Sequence, residues 1–206
     1  MVESEMGLIP KGWSVGKISD LANIRSGFTF SSKDYGEYGE FGLVTIKNVQ
    51  DGTFVTECSN NILNIPTTMP NYCFLEKGDI LLSLTGNVGR VAIVYGGKYL
   101  LNQRVSKIES SSKSNISFCY FAFRQKEFQD KLISISRGTA QQNLSPVETS
   151  NLAITIPALE ILEQFSDLTD TIFWKLVDNF EEIKTLMHTR DSLLPKLMSG
   201  KIRVNS

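Results

Sequence analysis

The stretch ALEILEQFSDLTDTIFWKLVDNFEEIKTLMHTRDSLL, residues 158–194, decides how this chain is organised. Apolar residues fall at 161, 165, 168, 172, 176, 180, 183, 187 and 194, in steps of three or four until a skip past Arg190. That spacing marks one side of an α-helix. A run of roughly 37 residues extends about 55 Å at 1.5 Å per residue. Acids crowd its first half, and Arg190 and Lys196 lie near its end, so side-chain charge opposes the helix dipole at both termini. Pro195 is expected to kink or end the helix, and Gly200 to cap it. The final KIRV, residues 201–204, is expected to form a small strand.

A helix this long cannot bury its stripe against itself. The pattern predicts an antiparallel coiled-coil seam with a second copy through Phe165, Leu168, Ile172, Leu176, Phe180, Ile183 and Met187. Lys175 and Asn179 lie near that seam, where polar residues fix register and partner number. The alternative is a helix lying across its own domain, which is too compact to cover its full length.

Residues 1–157 have a different character and are expected to form a separate domain from 158–206. GWSVGKISDLANI opens with an aromatic anchor and a helical turn near Ser19–Ile24. Phe41–Val49, Gly78–Leu84 and Arg90–Tyr95 are apolar and β-rich, bounded by Gly, Asn and Asp, and read as strands. TGNVG, residues 85–89, suits the loop of a hairpin between the last two. Ser117–Ser134 shows helical spacing, and LAITIP is one more strand, ended by Pro157. The fold class expected is α+β: a mixed α/β domain of short twisted strands followed by one long helix.

Composition sets the outer bounds. Apolar residues make up 41% of the 206 and charged residues 21%, which suits a globular core. No apolar run approaches the ~18 residues of a membrane span. The first ten residues carry two glutamates and no basic cluster, so no secretory signal is read there. The three cysteines, 58, 73 and 119, lack CxxC spacing and read as free thiols in a reducing cytosol. His188 has no Cys or His at ligand spacing, so no metal is expected.

Net charge is −1, unlike a generic basic nucleic-acid binder. The average hides a gradient. Between Lys77 and Arg137 ten basic residues stand against four acids, +6, whereas 158–206 holds six against eight, −2. Either the basic part faces polyphosphate, or its charges scatter over an ordinary surface.

Catalytic motifs do not fit. TGNVGR lacks the lysine and Ser/Thr of a P-loop, and a strand follows it where that loop needs a helix. No GxGxxG occurs. A triad needs a histidine or substitute base, and His188 lies within the long helix. Proline never occurs as PP, so the motif of a base amino-methyltransferase is missing. No catalytic residue and no cofactor is expected.

Three polar loops remain: Thr85-Gly86-Asn87 with Arg90 behind it, Asn102-Gln103-Arg104, and Arg137-Gly138-Thr139 with Gln141-Gln142-Asn143. Asn and Gln can pair with adenine N6/N7, and Arg can fork onto guanine O6/N7. Clustered in a basic segment, they are the candidate DNA contacts.

GWSVGKISDLA (12–22), GDILLSLTGNVG (78–89), LLNQRV (100–105), GTAQQNLSPVETSNLAITIPALEILEQ (138–164) and RDSLLPKLMSGKIRV (190–204) follow in characteristic order. In this the chain resembles specificity (S) subunits of type I restriction-modification systems. Those usually carry two target-recognition domains, each followed by a long helix. This chain has one of each and resembles a half-length S subunit. The resemblance implies that residues 1–157 read one half of a split double-stranded DNA target. It implies that the helix serves as spacer and dock for methyltransferase (M) subunits, with restriction (R) subunits in some complexes. Catalysis, adenosyl-methionine and ATP would belong to those partners. Residues 78–86 and 138–145 would partly serve folding.

An antiparallel homodimer would restore the two-domain layout with two-fold symmetry. It would read an inverted repeat with a gap. A ~55 Å spacer limits the centres to about 16 base pairs at 3.4 Å per pair. A helical scaffold fragment without DNA affinity, or a silent recombination cassette, is the other reading.

Overall fold

The structure, a computed structural model, describes residues 1–112, 115–136 and 142–202. The fold is α+β. One antiparallel sheet runs Val91–Ile93, Ile80–Ser83, Val105–Ser110, Ala22–Ser26. A second runs Asn61–Ile62, Phe41–Val44, Tyr99–Leu101, Phe74–Leu75, with Tyr99–Leu101 parallel to Phe41–Val44. Ile80–Ser83, Val91–Ile93 and Tyr99–Leu101 are buried at every position, which is why they read as unbroken apolar runs. Ser14–Lys17 pairs with Ala153–Ile156, so the start of the head is stitched to its end. Among the described residues four α-helices complete it: α1 (Ile116–Phe123), α2 (Lys126–Ser136), α3 (Pro146–Ser150) and α4 (Leu159–Met198).

Several expectations are corrected. The single helix expected over Ser117–Ser134 is two, α1 and α2, broken at Arg124–Gln125. Cys119, Tyr120, Phe123, Phe128 and Leu132 are all buried. At about 100° per residue a straight helix would aim Phe128 and Leu132 away from Cys119 and Phe123. The break turns both sets into one core, with the Phe123 and Phe128 rings 4.9 Å apart.

The strand expected over Phe41–Val49 stops at Val44. Asn48 is buried and makes the turn there: its Oδ1 accepts from Thr45 N at 2.9 Å, and its Nδ2 donates to Val55 O at 2.8 Å. Val49–Gln50 then forms a separate hairpin with Thr53–Phe54. Near the N-terminus a 3₁₀ turn covers Ile18–Asp20, and Ala22–Ser26 is a strand.

Pro195 neither ends nor interrupts α4, which runs 40 residues, about 60 Å, to Met198. In the last turn the ring removes one backbone bond at an end already open to water. Termination falls to Gly200, φ +68°. Gly200 N donates to Leu197 O at 3.0 Å, and Lys201 N to Lys196 O at 2.9 Å, the paired bonds of a Schellman cap. Lys201 and Ile202 form a bend rather than a strand, and Arg203 and Val204 lie outside the described residues.

The head holds one side of α4. Phe173 and Val177 are fully buried, and Leu162 and Ser166 nearly so. Tyr120 meets Phe173 edge-on at 5.6 Å, and Tyr95 stacks on Phe180 at 5.2 Å. Ser117 Oγ donates to Asp170 Oδ1 at 2.5 Å and accepts from Thr169 Oγ1 at 2.8 Å. Lys77 reaches Asp178 at 2.7 Å and Glu181 at 2.6 Å. Its ammonium holds the Glu181 carboxyl below its usual range, against a smaller opposing effect of burial. Gly78 takes φ +91°, and a Cβ there would lie 2.5 Å from the Trp174 ring, so the helix needs glycine at that spot.

Beyond Lys184 every described residue of α4 is exposed. The other side of the first half is exposed as well: Leu168 is 73% accessible against 0% for Phe173. Burying a Phe, Leu or Val side chain stabilises by about 1.5–3 kcal/mol. We therefore expect Phe173→Ala to lower the unfolding free energy by roughly 3–5 kcal/mol. Urea titration should show a lower midpoint at unchanged slope. A loss below about 1 kcal/mol would mean that this face does not hold the helix.

Candidate nucleic-acid interface

The hairpin loop Leu84–Arg90 leaves the end of strand Ile80–Ser83, and its backbone becomes the meeting point of the polar loops. Leu84 N donates to Arg104 O at 3.1 Å. Leu84 O accepts from Leu144 N at 2.7 Å, and Gly86 N donates to Gln142 O at 3.4 Å. Thr85 Oγ1 donates to Asn143 Oδ1 at 3.0 Å, and the two residues form an isolated antiparallel bridge. Residues 84–86 thus act as a short strand extension with the 102–104 loop on one side and 142–144 on the other. Gly86, at φ +75°, permits the turn.

Placement separates the candidates. Thr85 is buried and serves as a clamp. Gly86, Asn87, Gln103, Arg104, Gln142 and Asn143 are exposed, and Asn102 is half-buried. Arg90 is half-buried and turns its guanidinium to Gln50 Oε1, away from this cluster. Arg137, Thr139 and Gln141 lie outside the described residues.

The sequence reading missed Phe28 and Thr29. Phe28 O accepts from Gln103 N at 3.0 Å, and Thr29 Oγ1 donates to Gln103 Oε1 at 2.6 Å, which leaves the Gln103 amide NH2 as the outward donor. A signal was present in RSGFTF. Gly27 packs so closely on the backbone that a Cβ would lie 2.4 Å from Leu101 O.

The basic segment is less basic in space than along the chain. Lys77, Lys98, Lys107, Arg124 and Lys126 each pair with an acid. Of the described cations between 77 and 137, Arg90, Arg104 and Lys131 form no ion pair among the described residues. The Lys107–Asp79 pair, 2.8 Å, is largely covered, and burial pushes the Asp79 carboxyl up despite its N–H and ammonium partners. It braces the sheet rather than facing a ligand. Among the described residues no three His, Cys, Asp or Glu cluster to hold a metal, and no helix is long and apolar enough to cross a membrane.

A small α+β head with polar loops gathered at one sheet end, carried on a long helix, defines a class of recognition module. Residues 10–195 match the family model of the type I restriction modification DNA specificity domain, and the chain belongs to that family. It is 28% identical over 196 residues to the type I restriction enzyme HindI specificity subunit of Haemophilus influenzae, covering 94% of this chain and 42% of that one. It is 29% identical over 203 residues to the MjaIX specificity subunit of Methanocaldococcus jannaschii, covering 95% and 46%. Among solved structures, the type I restriction-modification S subunit from M. genitalium matches with TM-score 0.60 at 17% identity, over 91% of this chain and 46% of that one. The HsdS subunit from Thermoanaerobacter tengcongensis matches with TM-score 0.57 at 14% identity, over 97% and 48%. These structures share the fold. The chain spans about half the length of the relatives it matches.

Arg104 is the exposed cation at the loop cluster without an acid partner. Arg104→Ala should weaken duplex binding and reduce the salt slope by about one unit. Lys98→Ala should change neither, because Lys98 is tied to Glu40. Fluorescence anisotropy over a salt series checks both.

Proposed function

We propose that this chain is the non-catalytic, DNA-reading component of a type I restriction-modification system. Residues 1–157 read one half of a split target. A second copy, paired antiparallel through α4, reads the other half, and the helix pair docks methyltransferase subunits. Base contacts come from Asn87, Asn102, Gln103, Arg104, Gln142 and Asn143, with Arg137, Thr139 and Gln141 as further candidates. Catalysis, adenosyl-methionine and ATP belong to the partner subunits. The observation that carries the reading is the convergence of the 102–104 and 142–144 loops on the polar loop at Leu84–Gly86 within a family of DNA specificity domains.

The pairing rests on α4. Ile161, Leu168, Ile172, Ile183, Leu186, Leu193 and Leu197 are exposed and lie on one line, about 140° around the helix from Phe173 and Val177. Of the seven seam residues read from the sequence, Leu168, Ile172, Ile183 and Met187 are exposed. Leu176 and Phe180 are partly covered by the head, and Phe165 is half-buried beside Phe118 and Phe121. The free line is the surface left for a twin. Antiparallel order is favoured by charge: Glu160, Glu163, Asp167 and Asp170 mark the first half, and Arg190, Lys196 and Lys201 the end.

Selection from a randomised duplex pool, by the chain with its methyltransferase subunits, should enrich an inverted repeat with a gap. Binding should fall steeply with salt. Leu168→Asp with Ile172→Asp puts charges in the free line and should yield monomers by sedimentation. Retention of the methyltransferase with no enriched sequence would favour the scaffold reading.

A further inference from the structure

A groove of about 540 Å³ opens where α1, α2 and the last strand of the head meet the first half of α4. Its wall is apolar: Phe118 and Phe121 of α1, Phe128 of α2, Ile154 of the strand and Phe165 of α4. The Phe165 ring lies 5.9 Å from Phe118 and 6.2 Å from Phe121. Glu127 and Lys131 stand at the rim. A volume of this size suits several side chains.

Three observations point to the occupant. First, the groove is continuous with the free line of α4. Phe165 sits about 80° around the helix from Phe173, between the covered side and Leu168. Whatever lies along the free line passes the groove mouth. Second, the C-terminal end of α4 presents apolar side chains with no cover: Leu197, Met198 and, just past the Gly200 cap, Ile202. That end of the same chain cannot reach the groove, since Phe165 and Met198 stand about 50 Å apart on one helix. Third, charge sets the direction of the partner: α4 is acidic over its first turns, at Glu160, Glu163 and Asp167 on the side away from Phe165, and basic beside the tip at Lys196 and Lys201, which favours an antiparallel copy.

We propose that this groove is the seat for Leu197, Met198 and Ile202 of a second copy. Each chain of the pair inserts its helix tip between α1, α2 and α4 of the other. The proposal rests on the antiparallel pairing above and adds its end contact. The tip adds an end contact to the register that Lys175 and Asn179 set along the line.

The test is disulfide trapping with Lys131→Cys and Ile202→Cys in one chain, both at exposed positions. The native thiols interfere little. Cys73 and Cys119 are buried, and burial pushes the Cys58 and Cys119 thiols up to about 11. Under mild oxidation the double variant should form a covalent dimer, and neither single variant should. If the double variant sediments as a dimer yet stays uncrosslinked, the seat is wrong and the pairing stands. A covalent dimer from Ile202→Cys alone would place the two tips together and overturn both. A monomer by sedimentation would also overturn both.

Discussion

A helix of 40 residues carries more apolar edge than a head of this size can cover. That constraint organises the molecule. The head grips Leu162, Ser166, Phe173 and Val177 with an aromatic contact at each end, Tyr120 on Phe173 and Tyr95 on Phe180. Lys77 adds a bracket to Asp178 and Glu181, and Lys184 donates to Gly96 O. These contacts fix the orientation of the helix on the head. They leave a second apolar line turned elsewhere, and such a line in water calls for a partner.

The angle between the two lines has a geometric consequence. Two copies joined antiparallel through the free line are related by an axis perpendicular to both helices. Because the covered side lies about 140° away, both heads splay outward and towards the same side of the helix pair. One duplex lying across them then meets both, and the symmetry of the protein becomes the symmetry of the site. The loop end of each head is suited to such contact. Its scaffold is made of backbone bonds around Leu84–Gly86, which leaves Asn87, Gln103 and Arg104 to point outward. Among the described residues between 77 and 137 only Arg90, Arg104 and Lys131 form no ion pair, so affinity would come from two heads acting together.

Much of this was legible in the sequence, and the failures have physical causes. The long helix, the hairpin around TGNVG and the strand Ala153–Ile156 follow from local periodicity and turn residues. The break between α1 and α2 does not, because it serves a core contributed by distant strands. The helix stripe was read as one line when it is two adjoining ones. Phe165, Leu176 and Phe180 lie towards the head, and Phe173 and Val177, the most deeply buried, were not in that line at all. A 3.6-residue period shows that a side is apolar without showing which neighbour covers it. The loops meet at Leu84–Gly86, which their composition does not specify, and the +6 of the basic segment is reduced by folding. Lys77, Lys98 and Arg124 find acids outside it, while Lys107 and Lys126 pair with Asp79 and Asp130 within it. Phe28 and Thr29 join the loop cluster through a close approach at Gly27, whose glycine in RSGFTF was the one sequence signal of it.

The central claim is that α4 gives one side to its own head and the other to an oppositely directed twin. Pulsed electron–electron double resonance between nitroxides on Glu163→Cys measures this most directly, since residue 163 is exposed on the first half of the helix. Antiparallel pairing along the helices predicts a distance of roughly 40 Å or more. A distance under about 20 Å, as a parallel pair separated by 8–10 Å between axes would give, would contradict it. So would the absence of any dipolar signal.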